Sequence, residues 1–485
     1  MNLFSNVLAV SAILSIALTG CHAAGKRDKS PSPIHLEAED AQFGSNTVET
    51  SIPGYTGKGY VGHFEHEGDK IVWTIPAAHS GIYQVTIHYA SPGAEKGYDL
   101  VANGTKYGGM FSPTGNAFAA HDGGKIELTD GANTFGIEKG WGWYYIDSVD
   151  LTPVKVDGRI KKPSDALSDP KATPAARKLM RYLVQQYGKH TLTGQVNADD
   201  TEYIRANTGK TPAIMGGDLI DYSPSRVAHG SNSSESERLI EAAHAGQIVT
   251  LLWHWNAPTD LVDKENDTTA DGKPINHAWY RGFYTDSTTF DVEKALADPK
   301  SEDYALILRD IDTIAVQLKK FSDAGVPVLW RPLHESSGGW FWWGAKGPEP
   351  FKKLWLLMYD RLTNLHNLHN LIWVYSGGEK QEWYPGDKYA DVVGIDMYPS
   401  DTGDPLSSTW ETLTTQYGGR KPLALCEFGG VPDIDKMKRF GVRWAYFASW
   451  GGDLGPKKVT KETLKRIYTS PLALNKDGLP TDISK

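Results

Sequence analysis

Cysteine is nearly absent from this chain of 485 residues: only Cys21 and Cys426 occur. That scarcity excludes a scaffold built on disulfides and leaves stability to hydrophobic cores and bound ions. An excess of basic residues is lacking too, with 50 Lys and Arg against 59 Asp and Glu and a formal net charge of -9. This balance argues against a phosphate backbone or an anionic membrane surface as the main partner, so no nucleic acid is expected. Short-period internal repeats are also missing. Aromatic residues, by contrast, are plentiful, at 11% of the chain with 16 Trp. Sugar rings present apolar C–H faces that stack on indole and phenol rings, so a neutral glycan fits this composition; a large aromatic core fits it equally well.

The first apolar run, Val7 to Leu18, reads VLAVSAILSIAL. It has signal-peptide length and is too short to span a bilayer as a stable helix. The tetrapeptide LTGC that follows, Leu18 to Cys21, resembles a bacterial lipobox, in which the signal is cut before the cysteine and the thiol is lipidated. No Lys or Arg precedes Lys26, and an ordinary secretory signal cut near Ala23 and Ala24 is the alternative. The expectation is an exported bacterial lipoprotein, at the cell surface or facing the periplasm. Residues 1–21 are the signal, 22–33 a polar tether, and the membrane is met through the anchor only. Once Cys21 carries lipid, Cys426 has no partner for an intramolecular disulfide.

From residue 34 to 153 short alternating runs such as IVWTIP, IYQVTIHYA and FGIEKG are punctuated by Gly, Asn-Gly and Asp-Gly turn signals. This pattern predicts an all-β, jelly-roll-like sandwich. Residues 154–174, rich in Lys, Asp, Ser and Pro, read as a linker. From 175 to 485 apolar strand-like runs alternate with amphipathic helices, which predicts a TIM-type eight-stranded β/α barrel in a multidomain chain. The expected strands begin at Thr191, Ala213, Gln247, Val326, Leu371, Asp391, Pro422 and Trp444, with helices at 237–245 and 304–324 among those between them.

In such a barrel the catalytic groups stand at the C-terminal ends of the strands. Glu335 is expected to end the fourth strand in RPLHE, and Glu427 the seventh in LALCEFGG. A carboxylate at the end of an apolar strand is costly to bury unless it is paired, and a structural ion pair with a residue such as Arg331 is the competing explanation. Two carboxylates at a sugar site point to glycoside hydrolysis. The consecutive aromatics Trp340, Phe341, Trp342 and Trp343, and the group Trp279, Tyr280, Phe283 and Tyr284, are candidate cleft walls. Cys426 is expected to face away from its neighbour Glu427 and to serve packing.

The stretch WRPLHESSGGWFWWG, Trp330 to Gly344, carries the most specific likeness: the barrel resembles glycoside hydrolase family 26. That resemblance implies a retaining enzyme, a mannan endo-1,4-β-mannosidase or an exo-acting mannobiohydrolase, with Glu335 as acid/base and Glu427 as nucleophile. It further implies sugar contacts from His254, Trp255, His334, Asp396 and Tyr398, with Trp450 as a stacking floor. Trp279, Trp340 and Trp343 are added as subsite candidates. Mannan, glucomannan or galactomannan are the substrates implied, on a monomer needing no cofactor for catalysis. Mixed-linkage β-glucan or xylan as substrate, or a non-catalytic glycan-binding lipoprotein, remain open. In the sandwich, IHLEAEDA and WGWYYIDSVDL resemble a carbohydrate-binding module of family 35. This second likeness implies Trp141 or Trp143 as a glycan platform and a structural calcium on Glu37, Glu39 and Asp147.

Overall fold

A computed structural model describes residues 32–269 and 271–483. No described helix is long and apolar enough to cross a membrane. Cys21 and the rest of the expected signal and tether, up to residue 31, lie outside the described residues.

The first unit is a sandwich of two antiparallel sheets, one of six strands and one of five. Period-two alternation builds it. In the strand Gly81–Ala90, Tyr83, Val85, Ile87 and Tyr89 are buried while the residues between them are less so, and the facing strand Lys96–Ala102 sends Tyr98, Leu100 and Ala102 into the same core. The strand Ile34–Glu37 pairs antiparallel with Tyr145–Pro153, so the beginning and end of the unit lie side by side.

The segment from 154 to 173 is extended but closely held. The Ser168 backbone N–H donates to Asp391 at 2.5 Å, and the buried Asp169 meets His369 at 2.8 Å. Thr173 then caps the helix Pro174–Gln186, its side chain accepting from the Ala176 N–H while Pro174 occupies the first helical turn; proline suits that position because its missing N–H would have no helical partner there.

Eight parallel strands close the barrel: β1 (Gly194–Gln195), β2 (Ile214–Asp218), β3 (Ile248–Leu252), β4 (Val328–Arg331), β5 (Leu371–Ser376), β6 (Val392–Met397), β7 (Leu423–Phe428) and β8 (Phe447–Ser449). All eight expected strands are present. Their near-continuous burial follows from having a packed interior on one side and helices on the other. The helix Glu302–Asp323 shows how the outer layer is fixed, since Ile307, Ile311, Ile314, Leu318 and Phe321 recur at helical spacing and are buried against the strands.

One irregularity matters for the site. β6 pairs with β7 through Ile395↔Leu425, and the next pair is Asp396↔Glu427, so Cys426 is an extra residue on β7. Such a bulge re-aims the side chains beyond it, and here it brings Asp396 and Glu427 into the same row. The Cys426 thiol is buried, lies over the bare Cα of Gly394 and stands 3.4 Å from the Tyr446 hydroxyl, with burial pushing its pKa up to about 12. It packs, as its alternation with Glu427 predicts.

The sandwich docks directly on the barrel. Backbone N–H groups of Lys106 and Gly108 donate to Asp401 and Asp404 at 3.2 and 2.9 Å, the Lys125 N–H donates to Ser407 Oγ at 3.0 Å, and Arg439 pairs with Glu127 at 3.0 Å. Asp404 is buried, and its carboxyl is pushed up to about 6 by that burial against the opposing backbone hydrogen bonds. Asp401 and Asp404 follow β6 closely, so the sandwich grips the loop that leaves the catalytic face of the barrel.

Candidate active site

Three carboxylates and one guanidinium meet at the C-terminal mouth of the barrel. One oxygen each from Glu335, Asp396 and Glu427 lies within 4.8 Å of the others. Arg331, the last residue of β4 and almost wholly buried, supplies the opposing charge: Nη1 donates to Asp396 at 2.9 Å and Nη2 donates to Glu427 Oε1. The ion pair weighed from sequence therefore exists, and it serves the site by holding two acidic groups at close range. Ser376, ending β5, donates its hydroxyl to Asp396 at 2.5 Å.

Glu427 is held by two opposed donors. While Arg331 takes Oε1, the Tyr398 hydroxyl donates to Oε2 at 2.7 Å. Each oxygen accepts one hydrogen bond, so the two donors fix the carboxylate in direction. Tyr398 is 38% exposed, which leaves its ring at the cleft surface.

Glu335 differs in every respect. It does not end a strand: β4 stops at Arg331, and Glu335 stands four residues later in a turn where both Leu333 and Glu335 have φ near 51°. A left-handed backbone costs a non-glycine residue about 1–3 kcal/mol and persists only where surrounding structure imposes it. Desolvation raises the Glu335 pKa, and the negative charge of Glu427 raises it further; the Trp340 hydrogen bond and Arg331 act in the other direction. Trp340 Nε1 donates to Glu335 Oε2 at 2.8 Å and is 47% exposed. One carboxyl is thus biased toward its protonated form beside another that is strongly hydrogen bonded, which is the division that acid and nucleophile roles require.

Two histidines extend the site. Asp218, at the end of β2, accepts the His254 backbone N–H at 3.0 Å and meets its Nδ1 at 2.6 Å. His254 Nε2 lies 3.1 Å from His334 Nε2, and the rings are perpendicular at 4.5 Å. Burial works against charge on His254, but Asp218 overcomes it and the pKa is raised. His334 is held well below the usual value by burial, Arg331 and His254. The two rings are thus pushed in opposite directions, and the Nδ1 atom of His334 is buried without a protein partner. Trp450 follows β8 and meets His254 edge-on at 6.1 Å.

Several expected sugar contacts are placed differently. Trp255 is fully buried, stacked on Trp253 at 4.3 Å and bonded through Nε1 to Asp310 at 2.8 Å; it packs behind the mouth. Trp343 is also fully buried and donates to the His334 carbonyl at 2.9 Å, so it buttresses the turn before Glu335. Of the four consecutive aromatics only Trp340 is exposed, because Phe341, Trp342 and Trp343 fold back under the loop. Asp396 is turned toward Arg331 and Ser376, with its side chain 2% exposed, and so lies beneath the cleft floor. Trp279 stacks on His229 at 4.6 Å, in the insert between β3 and β4.

In the sandwich, Trp141 and Trp143 are 54% and 43% exposed. Glu37 and Asp147 both accept from the Thr56 hydroxyl, at 2.9 and 3.1 Å, whereas Glu39 accepts the Lys58 N–H at 2.5 Å. The three are neighbours, but they do not close into a single ring of the kind made by Glu335, Asp396 and Glu427.

Sequence reasoning missed Asp218 and Ser376 and named Arg331 only as a rival explanation. The signal for Asp218 was present: it ends an apolar strand in AIMGGD, much as Glu427 stands one residue before the end of LALCEF.

Comparison with known proteins agrees with this geometry. The model of glycosyl hydrolase family 26 matches residues 168–478, and that of carbohydrate binding module family 35 matches 34–154. A mannan endo-1,4-beta-mannosidase of Thermothelomyces thermophilus is 40% identical over 484 residues, covering 98% of this chain and 97% of the relative. Mannan endo-1,4-beta-mannosidase A of a Piromyces species is 33% identical, covering 92% and 73%. Among solved structures, a GH26-CBM35 beta-(1,4)-mannanase of Podospora anserina is 42% identical with a TM-score of 0.67, covering 93% of this chain and all of that one. A ruminal GH26 endo-beta-1,4-mannanase is 29% identical with a TM-score of 0.64, covering 92% and 98%. The chain belongs to glycosyl hydrolase family 26 and is a glycoside hydrolase whose barrel follows a family 35 carbohydrate-binding module.

Proposed function

We propose that the protein is a retaining β-1,4-mannan hydrolase in which Glu427 is the nucleophile and Glu335 the acid/base. The observation that carries this reading is the carboxylate pair itself: Glu335 and Glu427 present oxygens within 4.8 Å of each other. Such close approach accords with the roughly 5–5.5 Å carboxyl separation of retaining enzymes rather than the roughly 6.5–9.5 Å of inverting ones. In the first step a Glu427 oxygen bonds to the anomeric carbon as the glycosidic C–O bond breaks, and Glu335 gives its proton to the leaving oxygen. In the second, water attacks the same carbon, Glu335 takes a proton from that water, and the Glu427–sugar bond breaks. Burial and the charge of Glu427 raise the Glu335 pKa, which favours the protonated form that the first step needs.

Support for mannan is the likeness over nearly the whole chain to proteins named as mannan endo-1,4-beta-mannosidases. The test is a product profile on mannan, glucomannan, β-glucan and xylan. Mixed-length oligosaccharides released early from mannan are expected. Hydrolysis of β-glucan or xylan without mannan would overturn the substrate, and a single short product from mannan would overturn endo action.

Two further readings belong to the same proposal. Export with lipidation at Cys21 rests on LTGC after the apolar run; Cys21→Ala should move the protein from the membrane to the soluble fraction, and unchanged membrane association would refute it. A structural calcium fits the sandwich cluster because Glu39 Oε2 is buried without a partner and Glu37 and Glu39 both stand over the bare Cα of Gly57. The Glu37 and Glu39 carboxyl carbons each lie 3.1 Å from where a Cβ of Gly57 would stand. Glu37, Glu39 and Asp147 would hold the ion, and its charge would let their carboxylates approach one another.

A further inference from the structure

The five-stranded sheet of the sandwich carries an exposed aromatic between two side-chain bridges to loops of the barrel. In the strand Lys96–Ala102, Tyr98, Leu100 and Ala102 fill the core, so residues 97, 99 and 101 lie on the opposite, outer face. Asp99 on that face accepts from the Ser400 hydroxyl at 3.2 Å, and Ser400 is two residues beyond Tyr398. Glu95, just before the strand, meets Lys380 at 3.8 Å, four residues beyond Ser376. The two bridges therefore reach loops that begin at side chains of the active site, one bonded to Glu427 and the other to Asp396.

Gly97 lies between those bridges, and Trp141 covers it. The Gly97 N–H donates to the Trp141 carbonyl at 3.0 Å and the Trp141 N–H returns to the Gly97 carbonyl at 3.2 Å. A Cβ on Gly97 would collide with the indole nitrogen, so glycine is required for the ring to rest there. Two strand residues span about 7 Å, which sets the indole about that far along the strand from Asp99 and its bridge to the Tyr398 loop. It is still 54% exposed. An indole pinned through its own backbone and seated on a bare Cα offers a rigid apolar face with little entropy left to lose. Trp143 does not share this position: it leans edge-on against Tyr145 of the six-stranded sheet at 5.7 Å.

We propose that Trp141 is a distal subsite of the catalytic cleft, stacking on a sugar of the same β-linked chain whose scissile bond lies between Glu335 and Glu427. This rests on the mannan-hydrolase reading of the site. Module and barrel then hold one polysaccharide chain on one surface, where a tethered module would seize a second, separate chain.

The test measures kcat/KM of the full chain on manno-oligosaccharides of increasing length. Trp141→Ala should lower the ratio of long-chain to short-chain kcat/KM about tenfold, the size of one good stacking contact. Gly97→Val, which displaces the indole without deleting it, should lower the same ratio. An unchanged ratio in both variants overturns the proposal, even if retention on insoluble mannan falls, because that pattern means the module binds a different chain. An equal loss at every length also overturns it. A wild-type chain that cleaves none of the series would instead refute the mannan reading beneath, and that result is visible before any substitution is made.

Discussion

Asp218 grips His254 at two atoms, accepting its backbone N–H at 3.0 Å and meeting its Nδ1 at 2.6 Å. The first contact fixes where the residue stands and the second fixes the orientation of its ring. With Nδ1 committed to Asp218, Nε2 is left facing His334 Nε2, 3.1 Å away, and the His334 Nδ1 is buried without a protein partner. Asp218→Asn keeps the shape and removes the charge that raises the His254 pKa. The His254 titration, followed by NMR of the ring protons, should move to lower pH, and kcat should fall by ~10²-fold through misplacement of the two rings. A titration that stays in place would show that Asp218 does not set the charge of this pair.

Trp340 gives a second handle, this time on the acid. Its N–H stabilises the ionised form of Glu335 and so lowers a pKa that burial and Glu427 raise. Removing the donor in Trp340→Phe should raise it again. Because the protonated form is the active one, the basic limb of kcat/KM against pH should move upward. A basic limb that moves downward, or not at all, would contradict the role given to this contact.

How these residues were and were not legible in sequence follows from what each depends on. The strands could be read because barrel strands are buried on both faces and stand out as apolar runs, and Glu427 could be read because it is a charge set next to the end of one of them. The bulge at Cys426 could not, since a register shift leaves no mark on composition. Nor could the left-handed turn at Glu335, which rests on Trp343 holding the His334 carbonyl from below. That same support is why the run Trp340 to Trp343 misleads: adjacent aromatics on a loop look like cleft walls, yet three of them fold under it. The segment 154–174 reads as a loose linker by its polar composition, but Ser168 and Asp169 bind Asp391 and His369 of the barrel. Polar tracts do not reveal whether their hydrogen bonds go to water or to a neighbouring unit.

The calcium reading makes a stability prediction independent of activity. Near-saturating calcium should raise the melting temperature of the sandwich relative to chelator, by the equivalent of about 2.7 kcal/mol when the ion is in hundredfold excess over its Kd. Glu39→Gln should abolish most of that difference, because Glu39 Oε2 has no protein partner to lose. If calcium shifts the wild type and Glu39→Gln equally, the ion binds elsewhere.

The two catalytic glutamates can be separated by the leaving group each needs. If Glu335 protonates the departing oxygen, its loss matters little when that oxygen is already a weak base. Glu335→Ala should therefore keep a burst of product from an activated aryl mannoside while losing several orders of magnitude on mannan. Glu427→Ala should lose both, since no leaving group compensates for an absent nucleophile. Removing Glu427 also leaves Arg331 buried with Asp396 as its remaining carboxylate, so the fold of that variant must be checked by melting before the kinetics are read as chemistry; Glu427→Gln, which keeps the shape and a carbonyl acceptor for Arg331 while its amide N–H faces the Tyr398 oxygen, is the control for packing. A burst from the Glu427 variants but not from Glu335→Ala would reverse the roles. Full activity on mannan in both alanine variants would remove the pair from the mechanism altogether, because neither Asp396, turned under the floor toward Arg331 and Ser376, nor neutral His334 is placed to replace a nucleophile.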